Sequence, residues 1–261
     1  MLKNYIYLGI FLSCVVFAIC IPLSPHEVDV VDLSNAKISP SWEYFFGSDL
    51  LGRDVFTRIG YSFRISLFVG LGASFLALCF AIFYVGLMRI AFREFWLRIL
   101  DMFLAMPSLL FIMFFQSILA GNIFVMIFVI ALGHWAFMAK LLDSKLCYFE
   151  KSDFYLAALV LGNSKFRAFF FELLPACFHI FFLLFLLNIT HAIAAEATLS
   201  FFGLGLDLSE ASLGTMLNDA SKGIFSGAWW IVVFPIIALL ALVLPLLALA
   251  DNLRKNLGVK I

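Results

Sequence analysis

The chain is 261 residues long, 64% hydrophobic and only 13% charged, with 17 basic residues, 17 acidic residues and no formal net charge. Soluble domains carry nearer a quarter charged residues, so with a mean hydropathy of +1.09 the composition points to an integral membrane protein. Zero net charge excludes nucleic-acid binding by bulk charge. The five cysteines (Cys14, Cys20, Cys79, Cys147 and Cys177) lie in or beside apolar segments with no CxxC spacing. They read as small packing hydrophobes, not as zinc ligands or a disulfide framework.

Six apolar stretches reach the roughly 20 residues that cross a bilayer core: 5–23, 66–88, 102–120, 123–142, 175–199 and 229–250. The first follows Lys3 in the manner of a signal peptide, but Pro22-Leu23-Ser24-Pro25 offers no small-x-small cleavage site, so it reads as a retained anchor. An outside loop follows with Glu27, Asp29, Asp32, Glu43, Asp49 and Asp54. If its end is helical, Arg53/Asp54 and Thr57/Arg58 fall on neighbouring turns, where opposite charges support a helix by only a few tenths of a kcal/mol. That segment reads either as a collar closing the outer mouth or as a contact for a delivery protein. Gly70, Gly72 and Ala73 on the second span permit close helix contact. The third and fourth spans are joined by a tight turn at Gly121-Asn122.

Residues 151–176, KSDFYLAALVLGNSKFRAFFFELLPA, interrupt the apolar runs with a structured polar segment. It predicts a helix over 153–161, a break at Gly162-Asn163 and a second helix over 164–174 capped by Asn163 or Ser164. Ala157-Ala158 on the first helix leaves room for another surface. Two readings stand: a rigid docking surface for a soluble partner, or an interfacial helix lying on the bilayer, which Phe154, Tyr155 and Phe169 to Phe171 support.

With the N-terminus inside, twelve of the 17 basic residues fall in inside segments and five outside, which places both termini in the cytoplasm and residues 151–176 on the cytoplasmic face. His134, Asn188, His191, Glu196 and Gln116 are polar at membrane depth, where polarity is costly. If the fifth span lines the path, its Asn188, Thr190, His191 and Glu196 supply stepping contacts for a polar substrate; the alternative for these polar groups is interhelical hydrogen bonding. His134, His191, Met102, Met106 and Met138 are nitrogen and sulfur donors, yet no HxxxH or CxxC spacing assembles them into a metal site. The 33 phenylalanines read as lipid-facing and packing surface, and Trp229-Trp230 as an outer interfacial belt.

Three motifs carry a resemblance. Gly47-Ser48-Asp49-Leu50-Leu51-Gly52-Arg53-Asp54-Val55-Phe56-Thr57-Arg58, followed by Tyr61, Arg64 and Ile65-Ser66-Leu67, resembles the G-T-D-x-x-G-R-D-x-x-S-R signature of permease subunits of peptide- and nickel-type ABC importers, specifically the second permease of the pair. Residues 151–176 match that family's coupling loop, with Ala157-Ala158, Gly162 and Leu174-Pro175 in register. Glu196-Ala197-Thr198-Leu199-Ser200-Phe201-Phe202-Gly203-Leu204-Gly205 is similar to its E-A-x-L-S-F-L-G-L-G, with Leu213 to Leu217 and Trp229-Trp230 following. The chain departs from the pattern at Leu156, where a glutamate is usual, at Leu159, often an arginine, and at Arg89-Ile90-Ala91-Phe92-Arg93, which replaces a glycine-rich turn.

The resemblance implies an all-α fold of six transmembrane helices of the type I ABC importer permease kind, with a cytoplasmic coupling helix. Residues 1–65 then form an anchor helix and periplasmic segment, and 66–261 the permease domain. It also implies the bacterial inner membrane, a second homologous permease, P-loop ATPase subunits, a periplasmic substrate-binding protein and a cargo of nickel, bare or chelated, or short peptides. Tyr155, Ala157, Ala158, Gly162 and Asn163 are the expected ATPase-coupling residues. Gly47, Asp49, Gly52, Arg53, Asp54 and Arg58 form the periplasmic signature, and Asn188, His191 and Glu196 are candidates for the translocation path. The chain has no GxxxxGK phosphate loop and no GxGxxG after a strand-like run, so ATP is expected to be used by partner subunits and no cofactor to be bound here. A secondary transporter is the alternative, but no internal repeat links the two halves. A membrane enzyme lacks its HExxH or GxSxG cluster.

Overall fold

The computed structural model describes residues 2–21, 28, 30–90, 92–119, 122–206, 210–223 and 227–256. Pro22 to Pro25, Glu27, Asp29 and Gly121 lie outside the described residues. Helices α1 (Leu2–Cys20), α2 (Val55–Ile90), α3 (Arg93–Ala105), α4 (Ser108–Leu119) and α5 (Ile123–Phe149) come first. A polar connection follows, built of α6 (Asp153–Val160), α7 (Lys165–Ala168), a π-helical turn (Phe169–Leu173) and the short α8 (Leu174–Ala176). Helices α9 (Phe178–Phe201), α10 (Leu213–Lys222) and α11 (Trp230–Asn256) complete the chain.

The expected all-α membrane fold is the observed one. Helices α2, α5, α9 and α11 are long and apolar enough to cross a membrane, α3 and α4 together make a broken span bent by 80°, and α1 is a shorter apolar helix. Several element boundaries differ from the sequence reading, α5 and α11 running on to Phe149 and Asn256. The third span, expected as one helix over 102–120, is broken at Met106-Pro107. Pro107 cannot extend the hydrogen-bond ladder, and Met106 before it is extended (φ −84°, ψ 135°). The second span begins at Val55, not at residue 66, because its first turns are buried in protein, and hydropathy reports affinity for lipid, not helicity. The fifth starts at Phe178, after Cys177 (φ −93°, ψ 7°) separates it from Pro175. The sequence did not mark α10 as a helix. Its start is made by a capping box, in which Ser212 Oγ accepts from Thr215 N (3.1 Å) and Thr215 Oγ1 accepts from Ser212 N (3.0 Å).

The bundle is arranged around α2. Gly70, Ala73, Ala77 and Ala81 recur at helical spacing and are buried, so one face of α2 presents almost no side chain. A Cβ at Gly70 would lie 2.7 Å from Ile193 Cγ1 of α9, and one at Gly72 would lie 3.1 Å from Ile127 Cδ1 of α5. The close contact expected of these small residues is therefore present on two sides of the helix. Larger side chains fill the layer beyond it, with Met88, Leu100, Leu142, Leu146, Phe169 and Leu173 forming one end of the core.

Gly214 sets the approach of α10 to α9: a Cβ there would strike the backbone carbonyl of Ala197 and lie 2.6 Å from Ser200 Cβ. At Gly86 the nearest atom to an added Cβ is Phe169 Cε1 at 3.5 Å, an ordinary contact. Gly214→Ala is therefore expected to destabilise the protein by about 1–3 kcal/mol. Gly86→Ala should be neutral or stabilising by up to about 1 kcal/mol through helix propensity. Thermal unfolding of the two variants in detergent, side by side, checks the contrast.

Candidate functional site

Three regions contain the residues singled out in the sequence. The first is the signature before α2. Gly47 (φ 77°) and Gly52 (φ 80°) take left-handed turns that L-residues resist, and these fold the loop so that Asp49 faces back onto it. Asp49 Oδ1 accepts from the backbone N–H of Leu51 (2.8 Å) and Arg53 (2.9 Å), and its Oδ2 pairs with Arg53 Nε at 2.7 Å. Arg53 also reaches Asp219 of α10 at 2.9 Å. Asp54 caps α2, accepting from the backbone N–H of Thr57 at 2.9 Å. Arg58 is buried, 3.9 Å from Asp49. Trp230 Nε1 donates to the Ser48 carbonyl at 3.0 Å, fastening the loop to α11. Arg53 precedes the helix, and its i, i+4 partner is Asp49 in the turn before it, not a residue of a helical segment as the spacing allowed. Arg53, Asp49 and Asp54 are all buried, so these groups tie the loop to α10 and α11.

The second region is a cavity of about 450 Å³ at the α3–α4 break. Met106, Pro107, Ser108 and Phe111 line one side, Gly133, His134 and Phe137 of α5 another, and Asn188 and His191 of α9 a third. The break in the third span creates the opening. The rings of His134 and His191 lie edge-on to one another, with centroids 6.4 Å apart and planes at 76°. His134 Nδ1 is buried without a hydrogen-bond partner among the described residues. Asn188 Nδ2 donates to Ser74 Oγ of α2 at 3.2 Å.

Glu196 was expected beside these residues on the path, but it does not line the cavity. Its carboxylate is wholly buried and accepts from Ser66 Oγ of α2 and Ser200 Oγ of α9, both at 2.9 Å. A turn and a half along α9 carries it past the opening and into the contact with α2. His134 belongs to the cavity and was left out of the candidate path because it lies on a different span. Only the folded chain brings α5 and α9 together.

The third region is the polar connection. Helix α6 ends as a Schellman motif: Gly162 at φ 91° donates to the Leu159 carbonyl (3.0 Å), and Asn163 donates to the Ala158 carbonyl (3.2 Å). Ser164 Oγ accepts from Arg167 N at 3.3 Å, the cap expected for the second helix. Tyr155 and Ala158 point into the protein, whereas Ala157 and Gly162 are exposed. Burial raises the Tyr155 phenol pKa, with the Glu150 carboxylate adding to the effect, so the side chain stays neutral. The outward face is apolar: Leu156 is 47% exposed, Val160 88% and Leu161 84%.

Sequence reasoning also missed the support beneath α6. Arg89 at the end of α2 pairs with Asp143 of α5 and, through Nε at 2.7 Å, with Glu150. Arg93 at the start of α3 reaches the other oxygen of Asp143 at 2.7 Å. The two arginines that replace a glycine-rich turn therefore bind α2, α3 and α5 together next to Tyr155 and Leu159, with which they share a second cavity. The signal was present in the sequence as two arginines beyond the second span and an aspartate just past the end of the fourth.

Residues 74–259 match the family described as binding-protein-dependent transport system inner membrane component. The chain belongs to this family. Among its relatives are the dipeptide transport system permease protein DppC of Bacillus subtilis (strain 168), 32% identical over 259 residues, 97% of this chain and 81% of the relative. The oligopeptide transport system permease protein OppC of the same organism is 30% identical over 226 residues, 84% and 73% of the two chains. The nickel transport system permease protein NikC of Escherichia coli (strain K12) is 29% identical over 236 residues, 89% and 85%. The chain is thus a multi-pass membrane permease of the peptide- and nickel-type ABC importers, as the three motifs indicated.

The signature loop is held by ion pairs of unequal burial, since the Asp49 side chain is 6% exposed while that of Asp219 is 19% exposed. Asp49→Ala leaves two buried guanidiniums without their common carboxylate. A loss of about 3 kcal/mol is expected, the lower end for breaking a buried pair. Asp219→Ala is expected to cost less, and melting temperatures of the two variants rank them.

Proposed function

We propose that this permease is one half of an ATP-driven importer of the bacterial inner membrane, with both termini cytoplasmic. It pairs with a second homologous permease, and two P-loop ATPase subunits and a periplasmic substrate-binding protein complete the assembly. The cargo is nickel, bare or chelated, or a short peptide, the two classes named for its relatives. The excess of basic residues in the inside segments supports the orientation. The lack of a phosphate-binding loop in the sequence supports ATP hydrolysis elsewhere.

One observation carries the coupling role: the outward face of α6. A short helix with a defined Schellman end, anchored by Tyr155 and Ala158 and exposing Leu156, Val160 and Leu161, is a rigid apolar knob at the start of a connection that also exposes Phe166, Phe170 and Phe171. Such a helix seats in a groove of a soluble partner. The two usual charged positions are leucines here, so apolar contact takes over from polar contact. Ala157, Gly162 and Asn163 shape the exposed end, while Tyr155 and Ala158 transmit force to the core instead of touching the partner. The π-helical turn and α8 connect this knob to α9, which borders the cavity. Movement of α6 therefore moves a wall of the path, a change between two packings and not a chemical step. The signature loop is the collar that holds the outer mouth against α10 and α11.

Uptake of radioactive nickel and of a labelled dipeptide is measured in cells lacking this chain. One of the two fluxes is expected to be lost and to return with the intact chain, but not with Gly162→Pro, because proline cannot take the φ of +91° found at this position. If neither flux depends on the chain, the cargo assignment is wrong. If Gly162→Pro restores uptake fully, the coupling role of α6 is wrong.

A further inference from the structure

The cavity at the α3–α4 break carries donors that suit a metal ion. Among the described residues its lining has no lysine, arginine, aspartate or glutamate. Two imidazoles, an amide, a thioether and the Ser108 hydroxyl form the polar part of the wall instead. Neutral imidazole suits nickel, copper and zinc.

We propose that His134 and His191 form a two-imidazole transit site for a divalent transition-metal ion, and that the permease carries such an ion, bare or partly chelated. This rests on the reading of the chain as an importer permease whose path runs through this cavity. The geometry supports it in three ways. An ion bonded at about 2.1 Å to one nitrogen of each ring lies about 3.2 Å from each ring centre, so the present edge-on separation of 6.4 Å is the outer limit for a bridging ion, met when His191 turns a nitrogen towards His134. His191 is exposed, so its ring is free to turn towards His134. His134 Nδ1 is buried and has no hydrogen-bond partner among the described residues, a costly state at membrane depth that a metal–nitrogen bond relieves.

Two imidazoles bind weakly, and that is what passage requires: a site must be favourable enough to enter and weak enough to leave. No group of three or more histidine, cysteine, aspartate or glutamate side chains among the described residues is placed to trap the ion. The other coordination positions are left to water or to a chelator travelling with the metal. Asn188, held by Ser74, and the Met106 thioether border the same space.

The test uses the full permease assembled with its partner chains in membrane vesicles. Co²⁺ is the spectroscopic probe, its visible absorption reporting nitrogen ligation, and Ni²⁺ is the competitor. The intact protein is expected to show an imidazole-ligated Co²⁺ signal displaced by Ni²⁺, and His191→Asn to weaken it at least about tenfold. Nickel uptake should fall in the same variant. His191 is exposed, so its replacement opens no internal cavity. His134→Gln gives the second arm, with co-purification of the partner chains confirming assembly. Co²⁺ binding equal in intact and His191→Asn protein overturns the site, as does dependence of dipeptide but not nickel uptake on this chain. If Co²⁺ binds as expected yet no uptake depends on the chain, the importer reading fails while the two-imidazole site stands.

Discussion

The small-residue face of α2 sets the geometry of the molecule. A membrane bundle has little hydrophobic drive between its helices, so association depends on how closely backbones can approach. Gly70, Ala73, Ala77 and Ala81 let α9 and α5 lie directly against α2, and the polar contacts between spans become possible only at that range. Ser66 and Ser74 of α2 meet Glu196 and Asn188 of α9 across it. Move the helices apart by one methyl group and both contacts lengthen, leaving a carboxylate and an amide in an environment that punishes unpaired polarity.

The two ends of the bundle are closed differently. At the signature loop, one carboxylate, Asp49, organises a glycine-turned segment and holds Arg53, which reaches α10. At the opposite end Asp143 accepts from two arginines that arrive from different helices, Arg89 and Arg93. Each device uses charge where backbone packing alone is insufficient: a loop has no ladder of its own, and the α2–α3 junction turns sharply through Phe92 at φ 54°. Between these ends the third span is broken by Pro107, and the break is the origin of the cavity. One residue that cannot donate a hydrogen bond thus converts a wall into an opening.

The polar connection is continuous with that opening. The outward face of α6 is apolar and its inward face is buried through Tyr155 and Ala158. The π-helical turn and α8 continue into α9, whose Asn188 and His191 border the cavity. The irregular turn is the place in this connection where the backbone yields most readily.

Much of this was legible in the sequence. Hydropathy located the long apolar helices α2, α5, α9 and α11 and the bent pair α3–α4, because lipid exposure selects apolar side chains whatever they pack against. Gly162 announced the end of α6, since no other residue accepts its backbone angle so readily. What the sequence did not decide were relations between distant segments. His134 and His191 are 57 residues apart and meet only because α5 and α9 flank the same break. Glu196 and His191 are neighbours on one helix, yet the helix phase turns one into the core and the other into the cavity. Arg89 and Arg93 looked like a departure from a glycine-rich turn until Asp143 and Glu150 folded beneath them. Local backbone preference and solubility act within a few residues and so are written into the sequence. Pairing across the bundle depends on the crossing of helices, which only the tertiary structure determines.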